Sequence, residues 1–278
     1  MTNSICGVVV LYHPGEEVFE NIATYAGALD KLYIVDNSED VEAFETGLLP
    51  CDYELLSSGE NLGIDAALNL ALRRASGAGY RWMLTMDQDG SFESGQLQHL
   101  LECLSGCHFE KALLIAPVHH RRFSQAGDKC LCADTQVVMT SGNLVNVSNA
   151  VAIGGYSTSF FIDEVDHEFC LRGKSMGYEV VSLFSAFVNH QLGRTVQRRG
   201  KTVRLYPPER LYYMLRNYLY LRQTYVKRFP AFFHQRSRFL VRFFLQHLRF
   251  SQDRFACLGM LARGWCDYTM KRKGRLDG

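Results

Sequence analysis

No stretch of this 278-residue sequence stays apolar for the roughly 18 residues that a membrane-spanning helix needs. No secretory leader is expected either: the opening residues carry no basic cluster, and Ser4 to Tyr12 reads as a strand. Cysteine is present but unorganised. Nine residues without a regular framework argue against a disulfide scaffold, and neither Cys103/Cys107 nor Cys130/Cys132 has zinc-finger spacing. They read as free thiols, buried or at the surface. These absences lead us to expect a cytoplasmic chain. Internal repeats and low-complexity segments are also missing. Net charge is nearly absent, at +1, but it is unevenly spread. From Lys201 onward there are 17 basic and 4 acidic residues; before it there are 13 basic and 25 acidic. An acidic front suits gathering a metal ion, whereas a basic back suits an anionic surface such as a membrane or nucleic acid.

With 47% hydrophobic residues the chain can build a sizeable core, as one large domain with or without a helical appendage. Ile5 to Tyr12 is a continuous apolar run, as expected of a buried parallel strand. Glu16 to Leu29 reads as helix, Lys31 to Val35 and Tyr53 to Ser57 as strands, Ile64 to Ala75 as helix, and Tyr80 to Met86 as a fourth strand. Such alternation predicts an α/β domain with an open, mostly parallel sheet, whose ligands bind beyond the carboxyl ends of the strands. The second half is less regular. Val137 to Thr140 and Tyr178 to Phe184 read as strands, Glu164 to Met176 as a helix closed by Gly177, and Pro207-Pro208 as the opening of a helical region.

The strand ends supply the chemistry. Asp87-Gln88-Asp89 follows the fourth strand. In extended chain its two carboxylates point the same way, which makes a hard-oxygen site suited to Mg²⁺ or Mn²⁺. Tyr12 and His13 follow the first strand, and Asp36 ends the second, where an acid in nucleotide-binding sheets bonds ribose or base. Asn61, before Leu62-Gly63, reads either as turn chemistry or as an amide presented to a donor. The cluster Asp163-Glu164-Val165-Asp166-His167-Glu168 holds more acids than a helix N-terminus needs, so one is a candidate general base. Arg172, on the same helix, is a candidate to steady a carboxylate or a diphosphate. His190 follows a strand and is a candidate to complete the metal site.

In this order the segments resemble the family 2 glycosyltransferases. They are Val9-Val10-Leu11-Tyr12, Ile34-Val35-Asp36-Asn37, Asn61-Leu62-Gly63 with Ala67 and Asn69, Met86-Asp87-Gln88-Asp89, and Phe161 to Arg172. The Asp-Gln-Asp form, the Phe-Ile-Asp…Val-Asp-His-Glu segment and Tyr213-Met-Leu-Arg216-Asn217 resemble the bacterial rhamnosyltransferase branch. That resemblance implies a GT-A (nucleotide-diphospho-sugar transferase) fold over residues 1–205, with a basic, aromatic-rich helical region over 206–278. It implies a dTDP- or UDP-sugar donor, dTDP-L-rhamnose foremost, and a glycan or lipid-linked acceptor in surface polysaccharide synthesis. Tyr12 and Asp36 would contact the base, Asp87 the ribose or sugar, and Asp89 the metal, with His190 a second ligand. Asn61 and Arg172 would complete the donor site. Asp166 matches the family's catalytic Asp, although Val165 stands where the family commonly has Glu; Asp163 and His13 are secondary candidates.

Phe233, Leu240, Phe244 and Leu248 lie on one face of a helix, with Arg238, Arg242 and Arg249 opposite and Arg236 departing from the pattern. Such a helix either packs on a core or lies on anionic lipid at the inner face of the cytoplasmic membrane. No nucleic-acid-binding motif is present. The rival enzyme class is a haloacid-dehalogenase-like phosphatase, because Asp87-Gln88-Asp89-Gly90-Ser91 matches its nucleophile motif. Three strands precede the motif here, and no later Gly-Asp-x-x-x-Asp metal motif follows.

Overall fold

The structure is a computed structural model that describes residues 4–39, 49–119, 121, 124, 129–190, 194–198 and 200–276. Contacts divide it into two units. One comprises Met1–Ser157 with Phe169–Gln191; the other comprises Thr158–Glu168 with Leu192–Gly278. The expected boundary after residue 205 therefore lies inside the second unit.

The first unit is built on a nine-stranded mixed sheet, ordered β3-β2-β1-β4-β8-β6-β9-β5, with β7 on β9. β1 (Ile5–Leu11) is buried at all seven residues and is flanked in parallel by β2 (Lys31–Asp36) and β4 (Trp82–Asp87). Burial on both faces is why these strands are continuous apolar runs. β3 (Asp52–Ser57) is an edge, mostly exposed, and Lys31 pairs with its Asp52 and Glu54. The helices α1 (Glu17–Ala26), α2 (Ile64–Gly77) and α3 (Gln96–Gly106) each bury one stripe, such as Ala67, Leu68, Ala71, Leu72 and Ala75 of α2.

Regularity ends after β4. The two-residue β5 (Gly90–Ser91) pairs with β9 (Glu179–His190), β6 is Ala112–His119, and β7 is Cys132–Asp134. The strand expected at Val137 to Thr140 is not formed. Its place is taken by β8 (Asn143–Asn146), which is fully buried and runs antiparallel between β4 and β6. Gly142 sets this start: its φ is +88°, its amide bonds the Thr85 carbonyl at 2.7 Å, and a Cβ there would press on Val188 and Pro117. After the short helix α4 (Val147–Ala152), α5 (Val165–Ser175) ends before Gly177, whose φ of +93° is the left-handed C-terminal turn expected of it. One cysteine expectation is corrected. Cys103 and Cys130 form a disulfide, leaving seven free thiols. Their 27-residue separation follows no local pattern; tertiary packing of α3 beside the segment entering β7 creates it.

The second unit holds the hairpin β10 (Arg194–Arg198) and β11 (Lys201–Leu205), followed by α6 (Pro208–Tyr225), α7 (Pro230–Phe250) and α8 (Arg254–Thr269). On α7, Phe233 and Leu240 are buried, so the apolar face is a packing face. Arg236, which broke the amphipathic pattern, pairs with the buried Glu164. Among the described residues, no helix is long and apolar enough to cross a membrane.

Candidate active site

In the first unit the chain runs β1, β2, β3, then returns through α2 to β4 on the other side of β1. The carboxyl ends of β1 and β4 thus flank a topological switch point, where α/β sheets bind ligands. Hydrogen bonds tie the loops there together. Gln88 Oε1 accepts from the Tyr12 amide at 2.7 Å, while Gln88 Nε2 donates to the Tyr12 carbonyl at 3.3 Å. The His13 amide donates to Ser38 Oγ at 2.8 Å, and the Ser38 amide donates to Asp36 Oδ1 at 2.8 Å. Asn37 Nδ2 reaches the Gly63 carbonyl at 3.1 Å, and the Gly63 amide donates to Asn61 Oδ1 at 3.0 Å. Asn61 therefore performs the turn chemistry, Asp36 is buried within its own turn, and Tyr12 is exposed at the rim.

The fourth strand's acids meet a partner a hundred residues away. Gly90 pairs with His190 across β5 and β9, which carries the imidazole to the acidic pair. His190 Nε2 lies 3.3 Å from Asp87 Oδ2 and 3.0 Å from Asp89 Oδ1. Ligand atoms of all three residues lie within 4.8 Å of one another, and each side chain is partly buried. Two carboxylates and an imidazole at this spacing fit a divalent cation such as Mg²⁺ or Mn²⁺. Sequence reading placed Asp87 on the ribose or sugar; the structure gathers it into the same group as Asp89 and His190. Gln191, Leu192 and Gly193 lie outside the described residues.

Close packing explains the glycine of the Asp-Gln-Asp-Gly run. A Cβ on Gly90 would stand 2.5 Å from Ser141 Oγ and 3.2 Å from the Asp87 carbonyl oxygen, and Ser141 Oγ accepts from the Asp87 amide at 3.2 Å. The phosphatase-like match thus rests on a glycine and a serine that form a strand serving His190. Gln88 and Ser141 support this site, and sequence reading missed both. Gln88 sat between the two acids, so its position was the available clue.

Arg172, expected at the donor, bonds two carbonyls of the turn that follows α4. Its Nη1 donates to the Ile153 carbonyl and its Nη2 to the Gly155 carbonyl at 2.6 Å. Asn69 holds the same turn through the Tyr156 amide at 2.8 Å and carbonyl at 2.7 Å. Gly155 has φ +71°, and a Cβ there would collide with Asn69 Oδ1.

In the second unit, Phe161, Asp163 and Glu164 all have positive φ, at 67°, 61° and 63°. Such non-glycine positions cost about 1–3 kcal/mol each and persist only where surroundings over-determine them. Here Asn217 Nδ2 donates to the carbonyls of Phe160, Ile162 and Asp163 at 2.9, 2.8 and 3.0 Å, and the fully buried Arg216 reaches the Phe160 carbonyl at 3.3 Å. The Arg216-Asn217 pair of the branch-like segment is therefore a clamp on this turn. Arg210 forms a two-point pair with Asp163, at 2.6 and 3.1 Å. Glu164 is buried with His167 Nδ1 at 2.7 Å and Arg236 Nε at 2.9 Å. Burial alone would raise the Glu164 pKa; His167 and Arg236 outweigh it and hold the carboxyl at about 2. Burial likewise disfavours charge on His167, but Asp166 and Glu164 carry its pKa above the ordinary imidazole value. Asp166 differs from its neighbours. Its Oδ1 accepts the His167 amide at 2.8 Å, and among the described residues no arginine or lysine pairs with it.

Comparison with known proteins agrees with this architecture. Residues 16–106 match the family description "Glycosyl transferase family 2". The chain is 24% identical over 249 residues to the dTDP-rhamnosyl transferase RfbF of Shigella flexneri, covering 81% of this chain and 82% of that protein. Among solved structures, GalNAc-T7 with UDP, GalNAc and Mn²⁺ superposes with a TM-score of 0.63 at 10% identity, over 83% of this chain. This chain spans about half of that one, 49%. S. aureus TarS 1-349 in complex with UDP-GlcNAc gives a TM-score of 0.54 at 12% identity, over 95% of this chain and 80% of that one. The fold is GT-A, as in these two glycosyltransferase structures. The chain's likeness is to the family 2 glycosyltransferases, rhamnosyltransferase-like, as its motifs indicated.

Proposed function

We propose that this protein is an inverting glycosyltransferase that moves L-rhamnose from dTDP-L-rhamnose to a hydroxyl of a glycan or lipid-linked acceptor in surface polysaccharide assembly. The observation that carries the transferase chemistry is the convergence of Asp87, Asp89 and His190 beyond β4. These three side chains would hold Mg²⁺ or Mn²⁺. When bound, such an ion supplies positive charge that neutralises a departing diphosphate. Tyr12, at the exposed end of β1, offers a ring face to the base, and Gln88 keeps the backbone of that loop in register with the acids. The donor identity rests on the likeness to the dTDP-rhamnosyl transferase.

The proton from the acceptor hydroxyl goes to Asp166 as the oxygen attacks the anomeric carbon and the carbon–diphosphate bond breaks. Support for Asp166 over Asp163 comes from their partners. Both carboxylate oxygens of Asp163 are committed to Arg210 in a two-point pair, whereas Asp166 makes no such pair among the described residues. His13, near Glu39 at 3.3 Å, keeps a secondary role at the donor end. The test is dTDP release from dTDP-L-rhamnose in the presence of Mn²⁺ and a lipid-linked glycan. Asp89→Ala should remove the divalent dependence with turnover, whereas Asp166→Asn should keep donor binding and lose turnover by at least about 10²-fold. Donor-induced thermal stabilisation by UDP-sugars but not by dTDP-L-rhamnose would overturn the donor, and near-wild-type turnover of Asp166→Asn would overturn the base.

Lipid-linked acceptors suit the C-terminal region. Arg238, Val241, Arg242, Leu245 and Arg249 recur along α7 at helical spacing and are all exposed, and α8 adds exposed Phe255, Leu258 and Trp265. Apolar side chains interleaved with arginines favour an anionic lipid interface. Flotation with anionic vesicles should fall for Val241→Glu/Leu245→Glu; binding equal to wild type would remove the membrane from this reading.

A further inference from the structure

In the second unit, α8 ends in a Schellman turn. The Lys271 amide donates to the Tyr268 carbonyl at 3.0 Å, and the Arg272 amide donates to the Asp267 carbonyl at 2.8 Å. The left-handed position of that turn, which usually goes to glycine, is Lys271, with φ +60°. From there the chain is pinned against the segment that leads into the proposed base. The Arg272 carbonyl accepts from Tyr220 Oη at 3.0 Å, the Gly274 amide donates to the Ser159 carbonyl at 2.8 Å, and the Leu276 amide donates to Tyr213 Oη at 2.7 Å. The Arg275 guanidinium lies 5.8 Å from the centre of the Phe161 ring, and Tyr213 stacks on the same ring at 5.4 Å. Phe161 and Asp166 belong to the same unit as this strap.

Residues 271–275 read Lys-Arg-Lys-Gly-Arg, and all four cations are exposed. Asp267, the carboxylate beside them, is buried and is shared between Tyr212 Oη at 2.8 Å and Arg272 at 3.4 Å. One negative charge therefore faces four positive ones. A helix C-terminus carries only roughly half an elementary charge, so its dipole does not account for the excess. Positive charge held in excess on a pinned backbone favours an anion. Along α8, exposed Phe255, Leu258 and Trp265 share one helical face and lead toward the strap. Cations at the end of an apolar stripe match an amphiphile with a phosphorylated head. We propose that residues 271–275 bind the diphosphate of a prenyl-diphosphate-linked acceptor, with the prenyl chain lying along the α8 stripe. This site rests on the lipid-linked acceptor proposed above. A phospholipid headgroup offers the same phosphate chemistry, but its single diester holds less charge than a diphosphate. Four clustered cations therefore fit the diphosphate better.

The test uses the full chain without divalent cations, so that Asp87, Asp89 and His190 have no ion through which to hold a diphosphate. Calorimetry compares geranyl diphosphate, geraniol and dihexanoyl phosphatidylglycerol, each below its micelle concentration. Geranyl diphosphate should bind at least about tenfold more tightly than the other two. Lys271→Gln/Lys273→Gln/Arg275→Gln should weaken it at least about tenfold, while Lys271→Arg/Lys273→Arg/Arg275→Lys should keep it within about threefold of wild type. The three side chains are exposed, so both variants keep the core. Unchanged binding in the glutamine variant would overturn the proposal, as would weakening of equal size in the charge-preserving one. Equal affinity for phosphatidylglycerol would also overturn it and give the strap to the membrane surface. Turnover separates this site from the transferase reading. Rhamnosyl transfer whose acceptor KM is the same in wild type and the glutamine variant would overturn the site alone. Absence of transfer, with strap-dependent binding of geranyl diphosphate, would overturn the transferase reading and leave the site standing.

Discussion

Replacing Arg236 by methionine takes one cation from a carboxylate that water does not reach. Glu164 is fully buried at its side chain, and its pKa is held at about 2 rather than 4.5. That shift corresponds to about 3 kcal/mol favouring the charged, folded form. The folded value lies below the unfolded one. The contribution is therefore complete above pH 4.5 and drains away as pH falls toward 2. Without Arg236, only His167 remains to balance a charge that burial opposes. Removing one partner of a buried pair costs about 3–5 kcal/mol, and the remaining imidazole places this case at the lower end. For a chain of this size, about 3 kcal/mol lowers Tm by roughly 6–12 °C. Urea unfolding of Arg236→Met and wild type, followed at pH 7 and then at pH 4 and below, should give a gap that narrows on acidification. The positive-φ turn at Asp163 and Glu164 should loosen with it, so turnover should fall more than donor affinity. A variant within about 0.5 kcal/mol of wild type at pH 7, or a gap that stays constant with pH, would refute the reasoning.

The Gly90 packing gives a second test. Gly90→Ala should destabilise by about 1–3 kcal/mol and weaken Mn²⁺ binding, because its methyl group meets Ser141 Oγ at 2.5 Å; adding Ser141→Gly should recover part of both in a double-mutant cycle. His247 supplies a pH test. Its Nδ1 donates to the Phe243 carbonyl at 2.9 Å and its Nε2 accepts the Tyr206 amide at 2.9 Å, so the ring is neutral, and burial lowers its pKa. Its contribution is present above the ordinary imidazole value and is lost as pH falls through the folded one. Wild type should therefore lose more stability between pH 7 and 5 than His247→Gln does in the same urea assay. His167, whose pKa is raised, acts with the opposite sign and loses its contribution as pH climbs, so His167→Gln should flatten the alkaline side instead.

What was legible in the sequence was whatever depends on short-range pattern. β1, β2 and β4 are buried on both faces, so their apolar runs mark them to within a residue or two. Asp87 and Asp89 were visible because the strand before them was. The features that escaped are pairings across long separations. Gly90 with His190 looked like a phosphatase motif, Val137 to Thr140 looked like the strand that Asn143 to Asn146 forms, and Cys103 with Cys130 looked like two idle thiols. The acid-rich segment is the clearest case. Asp163, Glu164 and Asp166 are chemically alike in sequence and more numerous than a helix dipole requires. Arg210 and Arg236, 47 and 72 residues further on, neutralise the first two. Like charges packed this closely would repel, so the arginines are a condition for the segment to fold. Asp166, which pairs with neither arginine, is the carboxylate proposed above as the base. The same tertiary charge pairing that makes the turn stable therefore also distinguishes Asp163 and Glu164 from Asp166, and that distinction is absent from the spacing of the residues alone.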